Sequence, residues 1–275
     1  MALALVGLAA SARAEDASLR FQRHGEPERV VTRAALAAAC PDAVVAVDDP
    51  FYGSSKRFHA WPLRCVLEQG FGPLGPEFAA QEVLLRALDG YTRATQGALL
   101  VETGGYLAFA DADRSDGGFD PIEFRRDDPG PFYLVWQGAG ERDPARYPWP
   151  YQLSEIEVVR IDERFPHLVP TGAAPGSPAQ RGFALFRERC IQCHAINGDG
   201  GRVGPELNVP QSIVDYRPEA QLRAFIRDPQ QFRYTQMTGN PDLSEADLDA
   251  LIAYLRHMSR HPYDPYARPA PPEAP

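Results

Sequence analysis

The sequence predicts two domains, an α+β domain followed by a small all-α domain. Three observations carry this. Apolar residues fall in short runs of five to seven before residue 165 and at helical spacing after 178. Between them lies PHLVPTGAAPGSP (166–178), whose prolines and glycines cannot continue a helix or a central strand. It is therefore expected to be a linker. The 275 residues suffice for two small domains.

The elements follow in order. Residues 2–10 (ALALVGLAA) are apolar and lead into Ala12-Arg13-Ala14, the pattern of an export signal over 1–14. The run is too short for a spanning helix, which needs ~20 residues. The α+β domain is expected over 15–165. Its strand candidates are 43–48, 82–88, 106–110, 132–136 and 155–161, and Asp89-Gly90 signals a hairpin turn. Helices are expected at 32–39, behind Thr32 as cap, and at 62–69, with Pro62 in the first turn. Residues 111–131, rich in Asp, Gly and Pro, read as an exposed loop. Tyr133, Trp136, Tyr147, Trp149 and Tyr151 read as core, or through their Tyr-Pro-Trp-Pro-Tyr stretch as a partner contact. In the second domain, 179–261, helices are expected at 178–190, 219–228 and 244–258, the last opened by Ser244 and Asp247 as a capping box. Residues 262–275 read as a frayed, flexible tail.

Composition narrows the function. Hydrophobic residues at 44% and charged residues at 24% suit a soluble globular protein. A net charge of −9 argues against a nucleic-acid partner, because phosphate would be repelled. Four cysteines are too few for a disulfide scaffold. Cys40 and Cys65 read equally well as a disulfide or as two small buried residues.

The chemistry lies in Cys190-Ile191-Gln192-Cys193-His194, the C-x-x-C-H pattern of covalent haem attachment. Two thiols about one turn apart can add to the two vinyl groups on one porphyrin edge, and the next residue sets its imidazole on the iron. A redox dithiol or half a zinc site would explain the cysteine pair alone. Neither a second cysteine pair nor a paired histidine follows, however. One haem c is therefore expected, with His194 as an iron ligand. Of the three methionines, Met1 lies in the signal and Met258 ends a helix. Met237, in a loop, is expected as the second axial ligand; Met258 or an open site are the alternatives. His257 and His261 read as exposed helix-end residues.

From here to the carboxyl end the sequence resembles a class I cytochrome c domain. The features are Gly182-x₃-Phe186 before the motif, Gly204-Pro205-x-Leu207 after it, and Met237 ahead of a helix carrying Tyr254. The resemblance implies that the Pro205 carbonyl accepts a hydrogen bond from His194, and that Gly182, Phe186 and Tyr254 lie where the first and last helices cross. Thr238-Gly239 follows Met237 where many relatives carry proline.

The first domain resembles the molybdopterin-binding domain of the sulfite-oxidase superfamily. The strings are WPLRCVL (61–67), LRALDGY (85–91), GPFYLVW (130–136) and WPYQLSEIEV (149–158). The implied fold is a mixed-sheet α+β domain. Cys65 does not match that family's metal-ligand motif, and 15–175 hold 16 Arg and Lys against 25 Asp and Glu. An acidic domain is a poor phosphate binder, so a degenerate relative without molybdopterin is expected, serving as a docking or structural module.

The expected protein is a periplasmic single-haem carrier, moving electrons between a dehydrogenase and a respiratory acceptor, with no spanning segment once the signal is cleaved. No catalytic residue emerges. A molybdenum-dependent oxidoreductase with a fused haem domain and a haem sensor or structural subunit are the rivals. After acid–acetone extraction the colour should stay on the protein, and Cys190→Ser or Cys193→Ser should impair maturation; clean extraction of the haem would overturn covalent attachment.

Overall fold

The computed structural model describes residues 17–23, 25–122, 127–138, 144 and 146–267. The expected signal and the end of the expected tail, 268–275, lie outside the described residues. The chain divides into a first unit ending at Arg160 and a second beginning at Ile161.

The first unit is built on two sheets. One has the order β2 (Arg29–Thr32), β1 (Ser18–Arg23), β9 (Leu153–Val159), β5 (Glu82–Ala87), β6 (Thr92–Gln96). Strands β1 and β9 run parallel and the other pairs antiparallel, so this sheet is mixed. The second sheet is antiparallel, in the order β3 (Ala43–Asp49), β4 (Ser54–Pro62), β7 (Gly105–Asp111), β8 (Tyr133–Trp136). Alternation explains β3: Val45, Val47 and Asp49 point inward while Val44, Ala46 and Asp48 face out. The Asp89-Gly90 turn joins β5 to β6, with Gly90 at φ 93° and the Asp89 carboxylate accepting from the Tyr91 N–H at 2.8 Å.

Both sheets contribute to one buried cluster, which also takes in Leu63, Val66 and Leu67 of helix α2 (Leu63–Phe71). Helix α1 (Arg33–Ala39) starts at Thr32, whose hydroxyl caps the Ala35 N–H. Cys40, just past α1, is joined by a disulfide to Cys65 on α2. Closing a 25-residue separation in this way restricts the unfolded chain by an amount worth about 3 kcal/mol.

Two features of this unit differ from their reading in the sequence. Strands β1, β2, β4 and β6 are too polar or too short to register as apolar runs, and they gain their place from pairing. The 111–131 stretch is not simply exposed. Phe119 and Ile122 are buried, and Lys56 bridges Asp111 at 2.5 Å and Asp120 at 2.8 Å. Turn residues predict a reversal but not which side chains it buries. Of the two readings of the Tyr-Pro-Trp-Pro-Tyr stretch, the core one holds, with the Trp136 indole donating to the Pro148 carbonyl at 2.8 Å.

The second unit holds helices α3 (Pro178–Arg189), α4 (Glu219–Arg227) and α5 (Glu245–Ser259). Ser177 caps α3 ahead of Pro178. Ser244 and Asp247 form a reciprocal capping box on α5, and the Ser244 hydroxyl and N–H hold the Asp247 carboxyl below its usual range. No helix among the described residues is long and apolar enough to cross a membrane.

The 166–178 run, expected as a linker, packs on this unit instead. Leu168 is buried, its carbonyl accepts the Tyr254 hydroxyl at 2.8 Å, and the Thr171 carbonyl lies 3.0 Å from His257 Nε2. Prolines and glycines stop regular structure, but they leave carbonyls and side chains able to pack. His257 is thus buried rather than exposed, while His261 is exposed and sits on the His257 carbonyl at 2.8 Å. The start of the expected tail is also engaged: the Tyr263 ring stacks on His167 at 3.7 Å.

Helices α3 and α5 cross at Gly182, where an added Cβ would lie 2.0 Å from the Ala250 carbonyl oxygen. Phe183 and Phe186 meet the Tyr254 ring at 5.7 and 5.4 Å. Backbone cannot retreat cheaply, so Gly182→Ala should cost about 1–3 kcal/mol. Thermal unfolding of the second unit should fall by on the order of 10 °C; an unchanged midpoint would show that the crossing has slack.

Candidate functional site

Helix α3 delivers the cysteine motif. It ends at Arg189, with Arg187 and Arg189 complementing its carboxyl-terminal partial charge, and Cys190 is its C-cap. The Cys193 and His194 N–H groups both return to the Cys190 carbonyl, at 3.1 and 2.9 Å, so the motif is one tight turn. Both thiols are free of disulfide and half-buried. Burial, with the Cys193 thiol beside it, pushes the Cys190 thiol up to about 12, so it stays protonated near neutrality.

His194 is buried, and its Nδ1 lies 2.8 Å from the Pro205 carbonyl oxygen. A carbonyl only accepts, so Nδ1 carries the proton and Nε2 keeps its lone pair. Burial also lowers the imidazole pKa, against the opposing pull of the Pro205 carbonyl and the Glu206 charge. The ring is therefore neutral at pH 7 and presents one ligating nitrogen. That is the donor a metal requires.

The loop after the motif is held close. The Gly204 N–H donates to the Cys193 carbonyl at 2.7 Å and the Leu207 N–H to the Ala195 carbonyl at 3.0 Å. At Gly204 an added Cβ would stand 2.5 Å from His194 Cε1 and 2.8 Å from Nδ1. Only a glycine lets this backbone flank the ring. Two short strands, β10 (Ala195–Ile196) and β11 (Asp199–Gly200), follow His194 around an Asn197-Gly198 turn with both residues at positive φ.

Cys190, Cys193, His194 and Pro205 thus share one loop system. Met237 belongs to another. It is half-buried, its N–H donates to the Thr235 hydroxyl at 3.2 Å, and its loop is tied to the end of α4 through Asn240, whose N–H meets the Ile226 carbonyl at 3.0 Å. Met258 is buried in α5 at 2% exposure. The motif hides Asn197, Glu206 and Asn208, which bind the loop system together; the Asn-Gly dipeptide is the readable signal for the first.

Residues 179–259 match the family described as Cytochrome c. Over 88 residues the chain is 41% identical to cytochrome c oxidase subunit 2 of Alkalihalophilus pseudofirmus. The overlap covers 29% of this chain and 25% of that protein, so the chain spans about a quarter of the relative's length. The second unit therefore contains a cytochrome c domain, which implies covalently bound haem iron and redox partners. The neutral imidazole with a free Nε2, the paired thiols and the glycine-flanked ring all suit that group.

Gly204→Ala should push the His194 ring off the Pro205 carbonyl while leaving both thiols in place. Haem should remain covalent, with the His194 Nδ1 proton exchanging faster with solvent in the NMR spectrum of the reduced protein. An unchanged exchange rate would mean that the loop yields instead of the ring.

Proposed function

We propose that this protein is an exported single-haem carrier that moves one electron at a time between a dehydrogenase and a respiratory acceptor. The observation that carries the reading is the His194 imidazole, held through Nδ1 by Pro205, with two cysteines outside any disulfide in the four residues before it. Haem, when bound, supplies a one-electron iron couple. Cys190 and Cys193 would hold the porphyrin edge, His194 Nε2 would ligate the iron, and Pro205 would keep the imidazole a strong donor.

Met237 is the second axial ligand in this reading. Its loop is anchored to α4 on one side, and Gly239 presses against the Arg227 carbonyl, so the thioether rides on a fixed support. Met258 is committed to the α5 core. His257 and His261 are engaged with backbone carbonyls and do not compete. A thioether favours ferrous iron and raises the potential, which suits transfer rather than oxygen chemistry. The likeness to a protein named as a cytochrome c oxidase subunit supports a respiratory setting.

Export is supported by the apolar run at 2–10 and by the Cys40–Cys65 disulfide, a bond that persists in oxidising compartments. The first unit serves as a docking module, a degenerate relative of the sulfite-oxidase-type domain. Its mixed sheet supports that likeness. Molybdenum–thiolate chemistry does not fit it, because Cys40 and Cys65 are its two cysteines and are joined to each other.

Potentiometry on axial variants tests the reading. The wild type should carry one haem per chain at a positive midpoint potential, and Met237→His should lower that potential distinctly. Met237→Ala should open the sixth position to added cyanide. Met258→Leu should change neither spectrum nor potential. Loss of the methionine–iron band in Met258→Leu with its retention in Met237→Ala would reverse the ligand assignment, and indifference to both would favour a sensor. Co-purification from native periplasm should recover the redox partner.

A further inference from the structure

The residue after Pro205 holds four N–H groups at once. Glu206 Oε1 accepts from the backbone N–H groups of Asn197 at 2.9 Å, Asn208 at 2.8 Å and Val209 at 3.3 Å. Its Oε2 accepts from the Gly198 N–H at 3.0 Å. The first and last of these come from a turn in which Asn197 and Gly198 take φ of 57° and 83°, a geometry that points successive N–H groups to one side. Four N–H groups thus converge on one carboxylate, three of them on the same oxygen.

Asn197 extends the knot. Its Nδ2 donates to the carbonyls of His167 at 3.2 Å and His261 at 3.1 Å. Its Oδ1 accepts from Asn208 Nδ2 at 2.7 Å and from the Tyr263 N–H at 3.1 Å. Asn208 Nδ2 also reaches the Met258 carbonyl at 2.9 Å. Asn197 and Asn208 are 2% and 3% exposed, so breaking any of these bonds leaves a buried polar group unpaired. The segments before α3, after the motif and beyond α5 are therefore tied together through Asn197 and Asn208, whose backbones Glu206 holds next to the carbonyl that orients His194.

Resting on the haem reading of 190–194, we propose that Glu206 is a positioning residue for the axial His194. By bracing the Asn197-Gly198 turn on one side and Asn208-Val209 on the other, it fixes the Pro205 carbonyl 2.8 Å from His194 Nδ1. The strength of that hydrogen bond sets the electron-donating power of the imidazole. A loosened carbonyl gives a weaker donor, and a weaker donor stabilises ferric iron less. Glu206 thus holds the midpoint potential down and shields the Nδ1 proton from exchange.

Two variants separate bracing from charge. Glu206→Gln removes the charge and turns an N–H₂ group towards one of the donors. Glu206→Asp keeps the charge but is one methylene short of spanning both sides. Full-length holoprotein of each is compared with the wild type by potentiometry and by NMR exchange of the His194 Nδ1 proton in the reduced state. Both variants should exchange that proton roughly tenfold faster, the factor that follows from losing one hydrogen bond of ordinary strength. Both should also shift the potential positive. A potential and exchange rate in Glu206→Asp equal to the wild type's would overturn the positioning role, leaving at most an effect of charge in Glu206→Gln. Absence of covalent haem from the wild type itself would overturn the haem reading instead, so the two failures are distinct.

Discussion

The backbone contact between α3 and α5 at Gly182 is the constraint from which the second unit is built. Because no Cβ intervenes, the Ala250 carbonyl of α5 can sit against α3, and the aromatic rings of Phe183 and Phe186 close over Tyr254. The crossing sets where α3 ends, and its end is where Cys190 begins the motif. It also presents the Tyr254 hydroxyl to the Leu168 carbonyl, which draws the 166–171 segment onto the helices. One missing methyl group therefore governs a chain of placements that reaches His194.

Apolar packing brings the segments together, but polar bonds decide their final geometry. The helix faces meet through side chains that tolerate small shifts. A hydrogen bond of 2.8 Å between an imidazole and a carbonyl tolerates much less. The loop carrying Pro205 has no regular structure of its own, so its rigidity comes from N–H groups gathered on Glu206 and from the filled amide of Asn197. In a buried setting each such bond is costly to leave unmade, which turns a loop into a fixed support.

The first unit follows a different logic. Its two sheets share a core of aromatic and branched residues, pinned by the Cys40–Cys65 disulfide and by Lys56 between two aspartates. Its polarity is acidic, and its cysteines are committed to each other. The cytochrome c match lies wholly in the second unit.

Local rules made part of this legible. The C-x-x-C-H spacing is dictated by two vinyl groups and one iron, so it is contiguous and readable. The helices announce themselves through 3.6-residue periodicity and through Ser244 as a cap, and the Asp89-Gly90 hairpin through its backbone demand. What the sequence by itself determined is therefore the two-part division, the helical character of the second unit and the identity of the motif. The polar strand β4, the edge strands β2 and β6, the packing of 166–178 and the pairing of Cys40 with Cys65 were decided only by tertiary structure. So was the knot of Glu206, Asn197 and Asn208, whose partners lie up to 66 positions apart. Periodicity reports what one segment needs from its own neighbours in sequence. A buried amide or carboxylate is satisfied by whichever groups the fold brings within 3 Å, and no local pattern records that.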